Sequence, residues 1–445
     1  MFERALSLIG DHRRLGKIAG LFLSRSFHSF SSLVFSLVVG KLLIVEEHGI
    51  YGQFVAQVTV IQAITEAGLQ YSLIRYLSRS LHHQNQQEVA SILRASLSLK
   101  FYAFLIAFIL IASWATAGFF PILEGPLRLP GSPDHLTILL MVLLSGFGMS
   151  IFSFLDAVLV SHQKYRELAY WIPSTGVIRL ALLTFFYASD PDHLTIEQAL
   201  FAFLAGPYIS VAIFFMIFPA SFFEQKAEDH HRFHWIRQLF SYNRWLIAAS
   251  FFSILSDWME VLLLGQRPDA PFYHAARIPM QGFLILLATM QSVILPRFSV
   301  LENARDFAQN FKFIYKFLLP GVVLLLPGFW IFSWFLPFWY GNEYQLSISV
   351  FWILYPGFLL RLLFAPLGTA LLALDRPAIV GIEAGLRMIA GVVTNSFLIP
   401  AYGIHGAAWS SLIAQTPGWI FLIVLFYRYL RTGVFPELLP RKLVE

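Results

Sequence analysis

The chain has 445 residues, of which 57% are hydrophobic, 16% aromatic and only 13% charged, and its mean hydropathy is +0.67. An ordinary soluble domain carries about 25% charged residues, so the composition excludes that class and predicts an all-α polytopic membrane protein. The net charge of +5 is better explained by basic loops at the cytoplasmic face than by nucleic-acid binding. Cysteine is absent, which excludes disulfides, a thiol nucleophile and Cys-ligated metals.

Apolar runs of membrane-spanning length recur along the whole chain and predict about 12 transmembrane helices. They fall near 17–44, 50–74, 91–119, 135–160, 167–188, 196–222, 239–264, 272–295, 308–336, 346–374, 377–399 and 404–430. The first run follows four basic residues without a cleavage site of small residues, which indicates an uncleaved span and not a signal peptide. So many spans leave no room for a soluble catalytic domain. We therefore expect a protein that is not an enzyme, with no cofactor and no metal.

Basic residues are distributed unequally between alternate loops. With both termini in the cytoplasm, the inside segments hold 23 of the 31 Lys and Arg residues, and the outside loops hold three. The outward loops 189–195 and 337–345 contain neither residue type. Because positive charge is retained inside, this asymmetry predicts a multi-pass protein with both termini cytoplasmic.

Two pairs of segments indicate an internal repeat. Residues 46–79 and 267–300 each combine an outward loop with a helix that ends on a basic, Ser-containing segment. Residues 158–183 and 370–393 each combine a short basic turn with a helix that carries a buried Arg. The repeat predicts two six-helix bundles in parallel orientation, at 1–223 and 239–445, joined by a cytoplasmic linker at 224–238. Repeated halves are typical of transporters.

The first predicted helix carries a polar stripe. Arg25, His28, Ser29, Ser32 and Ser36 share one face, and the rest of the circumference is Leu, Phe and Val. An Arg at this depth costs about 2.5–3.5 kcal/mol on the insertion scale unless it faces water or a partner. Two explanations remain open: the stripe lines a water-filled cavity, or the serines pack between helices and Arg25 pairs with a buried carboxylate.

The seventh predicted helix carries an acidic stripe, formed by Ser250, Ser253, Asp257 and Glu260. A carboxylate in a low dielectric favours its protonated form unless a cation neutralises it. Asp257 and Glu260 are therefore candidates to bind the coupling ion, H⁺ or Na⁺. Asp257 is the better candidate because it lies one turn deeper, whereas Glu260 has the alternative of being hydrated near the outer interface.

Other ionisable residues also fall within predicted spans. Glu66 has the alternative of pairing with a nearby basic residue, and Arg387 has the alternative of an i, i+4 pair with Glu383. Arg277 has no such neighbour and suits a phosphate, which a guanidinium contacts through two parallel hydrogen bonds. The secondary cavity candidates are Glu66, Asp156, Arg179, Arg361 and Arg387.

Several segments, in this order and spacing, resemble a known family. They include "SILSDWMEVLLLGQ", "YHAARIPMQGFLILLATMQSVILPRFS" and "FLIPAYGIHGAAWSSLIAQ", together with the 46–79 segment and "WYGNEYQLSISVFWILYPGFLLRLLFAPLGTALLALDRP". The chain resembles the polysaccharide-exporter branch of the multidrug/oligosaccharidyl-lipid/polysaccharide flippase superfamily, over essentially its whole length. The resemblance implies a V-shaped pair of six-helix bundles around a central cavity, and transport of lipid-linked sugars by alternating access without ATP hydrolysis.

The resemblance and the polar residues together predict a flippase or exporter of a lipid-linked oligosaccharide in a bacterial cytoplasmic membrane. In this hypothesis Arg25 and Arg277, with His28, bind the pyrophosphate headgroup, and Asp257 with Glu260 binds the coupling ion. Candidate partner proteins are a glycan polymerase or glycosyltransferases. The alternatives are a multidrug/cation antiporter of the same superfamily, a membrane-embedded glycan polymerase or ligase, and a subunit of a synthase complex.

Overall fold

The computed structural model describes residues 12–66, 68–117, 135–190, 194–218, 230–265, 267–298, 304–374 and 377–432. These residues are helical throughout, apart from short turns. An all-α multi-pass membrane fold is therefore confirmed. Both chain termini, the outward loop 119–134 and the first part of the predicted linker, 224–229, lie outside the described residues.

Fourteen α-helices and one 3₁₀ turn follow one another in the described part of the chain. They are α1 (His12–Leu42), α2 (Val45–Glu66), α3 (Leu69–His82), α4 (Gln86–Ala117), α5 (His135–Ser161), α6 (Tyr165–Trp171), α7 (Ser174–Ser189), α8 (Ile196–Ile217), α9 (His230–Leu264), α10 (Ala270–Phe298), α11 (Ala304–Leu325), α12 (Gly328–Tyr340), the 3₁₀ turn Asn342–Tyr344, α13 (Gln345–Ala373) and α14 (Pro377–Thr432).

The structure does not establish the expected count of twelve membrane spans. Within the described residues, seven helical segments are long and apolar enough to cross a membrane, or eight if α11 and α12, bent by 41°, form one span. The longest of these segments, in α14, contains Gly403 in a non-helical conformation (φ 56°), at the boundary between two predicted spans. A count of twelve is thus not confirmed.

Prolines and one glycine break helices that the sequence predicts as continuous. The predicted span 50–74 is divided into α2 and α3 at Gly68, whose φ of 61° is left-handed and costs little only for glycine. Pro327 separates α11 from α12, and Pro173 separates α6 from α7. A proline lacks the N–H that the helix would use, so the helical hydrogen bonding is interrupted at these points, and the chain bends by 41° between α11 and α12.

Helix starts follow ordinary capping chemistry. The Oδ1 of Asn85 accepts a hydrogen bond from the Glu88 N–H (3.2 Å) at the start of α4. Thr195 and Gln198 form a capping box at the start of α8, in which each side chain accepts from the backbone N–H of the other residue. Such caps satisfy N–H groups that have no partner inside the helix.

The helices form two compact units. Unit 1 contains α1, the last residues of α2, α3 to α8 and the start of α9. Unit 2 contains residues 43–60, which include most of α2, and the chain from Trp245 onwards. In unit 1, Leu73, Phe154 and Trp171 belong to the buried core in which α3 packs on α5. In unit 2, Tyr273, Phe351 and Ile404 join α10, α13 and α14. A second core of unit 2 surrounds Phe298 and Phe311.

Large apolar side chains are also exposed. On α12, the side chains of Trp330, Trp334 and Phe338 are each about two-thirds exposed, and Trp334 stacks on Phe338. Aromatic residues are enriched where a helix meets the membrane interface. Because lipid tails are as apolar as these side chains, tight packing and polar contacts decide how such helices associate.

Candidate functional site

In unit 1, the polar stripe of α1 contacts α5. The Arg25 guanidinium pairs with the Asp156 carboxylate at 3.1 Å and 3.3 Å, and the Gln70 amide donates to the same carboxylate at 3.3 Å. The Asp156 side chain is 11% exposed, whereas that of Arg25 is 49% exposed. The pairing with a buried carboxylate, which was one of the two explanations for Arg25, is therefore present in the structure. About half of the Arg25 side chain stays accessible.

The other polar residues of unit 1 are held by helix packing. The Nδ1 of His28 lies 3.1 Å from the Thr175 hydroxyl, and its ring stacks on Phe152. Arg179 is buried: its guanidinium lies 3.7 Å from the centre of the Phe203 ring, and its Nε donates to the Phe203 carbonyl. Arg179 therefore lies in a packed core, whereas His28 is only half-buried.

Two further charged residues of unit 1 contact serines of α5. Glu66 accepts a hydrogen bond from Ser153 at 2.9 Å, and the ammonium of Lys100 donates to Ser150 at 2.7 Å. Lys100 is 2% exposed. Sequence reasoning did not single out Lys100, because it is the last residue of the segment 75–100, which its basic residues assigned to the cytoplasm. Lys100 is the fifteenth residue of α4, and this position inside a long helix was the feature of the sequence that could have indicated its burial.

In unit 2, four helices converge on a cavity of about 140 Å³, a volume large enough for several water molecules. It contains four of the charged residues that the sequence singled out. These are Asp257 and Glu260 of α9, Arg277 of α10 and Arg361 of α13. The remaining lining residues are Ser256, Trp258, Tyr273, Met280, Gln281, Leu354, Phe358, Ser411, Ala414 and Gln415.

Asp257 is the centre of an ion network at this cavity. Arg361 binds it through two parallel hydrogen bonds, of 2.9 Å and 2.7 Å. Arg387 of α14 approaches the same carboxylate at 4.0 Å, while its Nε contacts Glu383 at 2.8 Å and its Nη2 donates to Ser253 at 3.2 Å. The i, i+4 pair of Glu383 and Arg387 is thus present, and it is joined to Asp257.

Arg277 and Glu260 are held less firmly than Asp257. The Arg277 guanidinium lies over the Trp258 ring, 4.0 Å from its centre, and within the described part of the chain no carboxylate is in ion-pair contact with it. Glu260 is 2% exposed, so the alternative of a hydrated surface carboxylate does not apply. Its recorded side-chain partner is the Asn395 amide at 3.5 Å, the outer limit of a hydrogen bond. The cavity therefore combines an available cation with an available acid.

Aromatic and amide groups complete the lining, and sequence reasoning did not identify them. Trp258 supports Arg277 through a cation–π contact, and Tyr273 is buried beside it. Ser411 and Gln415 lie one helical turn apart on α14. An i, i+4 polar pair inside an apolar helix was the signal that would have identified this face.

Comparisons with known proteins agree on the fold. A relative, the probable low-salt glycan biosynthesis flippase Agl15 of Haloferax volcanii, is 24% identical over 186 residues, which cover 40% of this chain and 39% of the relative. The match thus spans about two fifths of that relative's length.

Solved structures match over nearly the whole chain. The lipid II flippase MurJ, in an inward closed conformation, has a TM-score of 0.67 at 14% identity, covering 94% of this chain and 88% of its own. The MATE transporter VcmN of Vibrio cholerae has a TM-score of 0.58 at 14% identity, covering 94% and 97%. The resemblance to this flippase superfamily is confirmed. The sequence profile of polysaccharide biosynthesis proteins matches residues 15–302, well over half of the chain, and the chain therefore belongs to that family.

Proposed function

We propose that this protein is a flippase or exporter that moves a lipid-linked oligosaccharide or polysaccharide precursor across the cytoplasmic membrane. It works by alternating access, driven by a gradient of H⁺ or Na⁺, with both termini in the cytoplasm. The observation that carries the proposal is the unit 2 cavity, where Arg277, Arg361, Asp257 and Glu260 come together inside an apolar bundle. Ionisable groups at membrane depth are costly and mark substrate or ion pathways. The family and the flippase name of the relative Agl15 give further support.

In this proposal Arg277 binds the phosphate of the lipid headgroup. Its guanidinium is positioned by the Trp258 face and has no recorded carboxylate partner among the described residues. A planar guanidinium suits phosphate because it donates two parallel hydrogen bonds. The neighbouring Ser411 and Gln415 then supply hydrogen bonds to sugar hydroxyls.

In this proposal Glu260 is the first candidate for the coupling-ion site. It is buried and has one recorded side-chain contact, to Asn395. Asp257 is already neutralised by Arg361. A buried carboxylate that exchanges between a free and a cation-bound state links transport to a gradient. In unit 1, the exposed half of Arg25, with His28 beside it on the stripe, is proposed as a second contact for the headgroup.

Transport in proteoliposomes tests the proposal. The purified protein is reconstituted with a fluorescent polyprenyl-pyrophosphate-linked oligosaccharide, and movement of the label between leaflets is measured with and without a proton or Na⁺ gradient. Arg277→Ala is expected to slow the movement by roughly tenfold or more, because it removes a charge-assisted bidentate contact. Arg277→Lys recovers part of the rate, and Glu260→Gln removes the response to the gradient.

A matched control uses the same substitution outside the cavity. Arg267→Ala removes an exposed Arg that pairs with Asp269 at 3.3 Å, so it leaves transport unchanged. If wild-type protein moved a cationic dye against the gradient but not the lipid-linked glycan, the antiporter alternative would replace the proposal. If the wild-type protein lengthened the glycan, the polymerase alternative would replace the proposal.

A further inference from the structure

The strongest ion pair of unit 2 occupies the candidate anion site. Arg361 faces the same cavity as Arg277, and both of its terminal nitrogens are engaged by the Asp257 carboxylate. The planar fork of a guanidinium fits a carboxylate and a phosphate in the same way. In its geometry, Asp257 therefore stands where a phosphate would bind Arg361.

The two arginines at Asp257 differ in their freedom to move. Arg387 is 10% exposed and is held on two sides, by Glu383 at 2.8 Å and by Ser253 at 3.2 Å. The Arg361 side chain is 31% exposed, and its recorded contacts are with Asp257. Arg361 can leave Asp257 while Arg387 stays, and Asp257 then keeps one cation within about 4 Å. Arg387 is then shared between Asp257 and Glu383, so the departure of Arg361 leaves one excess negative charge beside the cavity, where the Asp257 side chain is 24% exposed.

We propose that Asp257 is an internal competitor for the substrate, holding Arg361 until an anionic phosphate group takes over the guanidinium. The proposal rests on the proposed function and adds to it a second phosphate ligand, Arg361, and a cause of coupling. When Arg361 transfers to the phosphate, Asp257 and Glu383 share the single cation Arg387, and the excess negative charge attracts a proton or Na⁺ to Asp257. Binding of the anion and binding of the cation then favour each other, as linkage requires.

This mechanism and a purely structural role for Asp257 predict different effects on phosphate binding when Asp257 is neutralised. If Asp257 competes with the substrate, its neutralisation releases Arg361 and tightens phosphate binding. If Asp257 only maintains the structure of the cavity, its neutralisation weakens binding or leaves it unchanged. The sign of the change therefore decides between the two.

The experiment measures binding by isothermal titration calorimetry on the full chain in detergent micelles. Two probes are used, inorganic pyrophosphate and geranylgeranyl pyrophosphate. Asp257→Asn is expected to tighten binding about tenfold, and Arg361→Gln to weaken it about tenfold, each being the effect of one charge-assisted contact. In the Arg361→Gln background, Asp257→Asn is expected to have no further effect. Asp269→Asn, at a half-buried acid that pairs with Arg267 and does not line the cavity, is the matched control and leaves binding unchanged.

Tightening with both probes supports recognition of the phosphate alone, and tightening with the lipid form only supports recognition of a headgroup presented on its chain. The inference is overturned if the wild-type protein binds the probes and Asp257→Asn weakens that binding or leaves it unchanged. A failure of the proposed function looks different, because wild-type protein then binds neither probe, or binds them equally well after Arg277→Ala. Thermal unfolding verifies each variant, and Asp257→Ser replaces Asp257→Asn if that variant does not accumulate.

Discussion

Removal of Arg25 tests whether the ion pair on α1 is structural. Arg25→Ala leaves the Asp156 carboxylate, 11% exposed, with the Gln70 amide at 3.3 Å as its remaining recorded partner. Breaking a fully buried pair costs about 3–5 kcal/mol, and exposed pairs contribute about 0–1 kcal/mol. Because the Arg25 side chain is 49% exposed, we expect a loss of about 1–2 kcal/mol in the free energy of unfolding.

A double-mutant cycle isolates the pair. The variants Arg25→Ala, Asp156→Asn and the double variant are unfolded with SDS in mixed micelles, and unfolding is followed by tryptophan fluorescence. Asp156→Asn costs less than Arg25→Ala, because the stranded Arg25 reaches water. The double variant recovers about 1 kcal/mol relative to the sum of the single effects. Strictly additive effects would refute the ion pair as a stabilising contact.

The same variants separate a structural role from a role in substrate binding. A double variant that regains stability and membrane abundance but not transport assigns Arg25 to the headgroup. A double variant that regains transport as well removes Arg25 from the proposed phosphate site. The measurement is transport in proteoliposomes at equal protein content.

Three further predictions concern single positions. Lys100→Met keeps the side-chain volume and removes a buried charge, so thermal unfolding in detergent is expected at or above the wild-type temperature, whereas Lys100→Ala leaves a cavity and costs about 2–3 kcal/mol. Gly52→Ala places a methyl group 2.6 Å from the His274 ring and costs about 1–3 kcal/mol, while Gly321→Ala, which meets open space, is neutral or stabilising in the same assay. A cysteine introduced at position 228 of this cysteine-free chain is expected to resist an impermeant thiol reagent in intact cells, and labelling from outside would contradict the cytoplasmic linker.

Charged residues inside apolar spans were the most informative part of the sequence. Charge at membrane depth needs a reason, so its position in an apolar run is enough to make such a residue a strong functional candidate. Asp257, Glu260, Arg277 and Arg361 come from three helices and line one cavity. Helical spacing explains why Asp257 and Glu260 share a face, but it does not give the rotation of one helix against another. The pairing of Arg361 with Asp257 was therefore beyond the sequence.

Helix breaks were only partly predictable, for a different reason. A proline removes an N–H at any position, so breaks at Pro173 and Pro327 are readable from the sequence. Glycine is frequent inside membrane helices, where it also allows close packing. Gly68 breaks its helix, whereas Gly52 remains helical and packs against His274. The presence of a glycine in the sequence therefore does not show whether it breaks the helix or allows close packing.

Depth along a helix does not by itself decide which carboxylate is available for coupling. The sequence favoured Asp257 because it lies one turn deeper than Glu260. However, the deeper position is the one that α13 and α14 reach with Arg361 and Arg387, and the charge of Asp257 is balanced there. Glu260 is more enclosed, at 2% exposed against 24% for the Asp257 side chain, yet its side-chain partner is the Asn395 amide. Burial sets the cost of a charge, but the neighbouring helices decide which acid remains free to exchange a cation. For this reason we propose Glu260 as the first coupling-ion candidate, and Asp257 as one that becomes available only after Arg361 has moved.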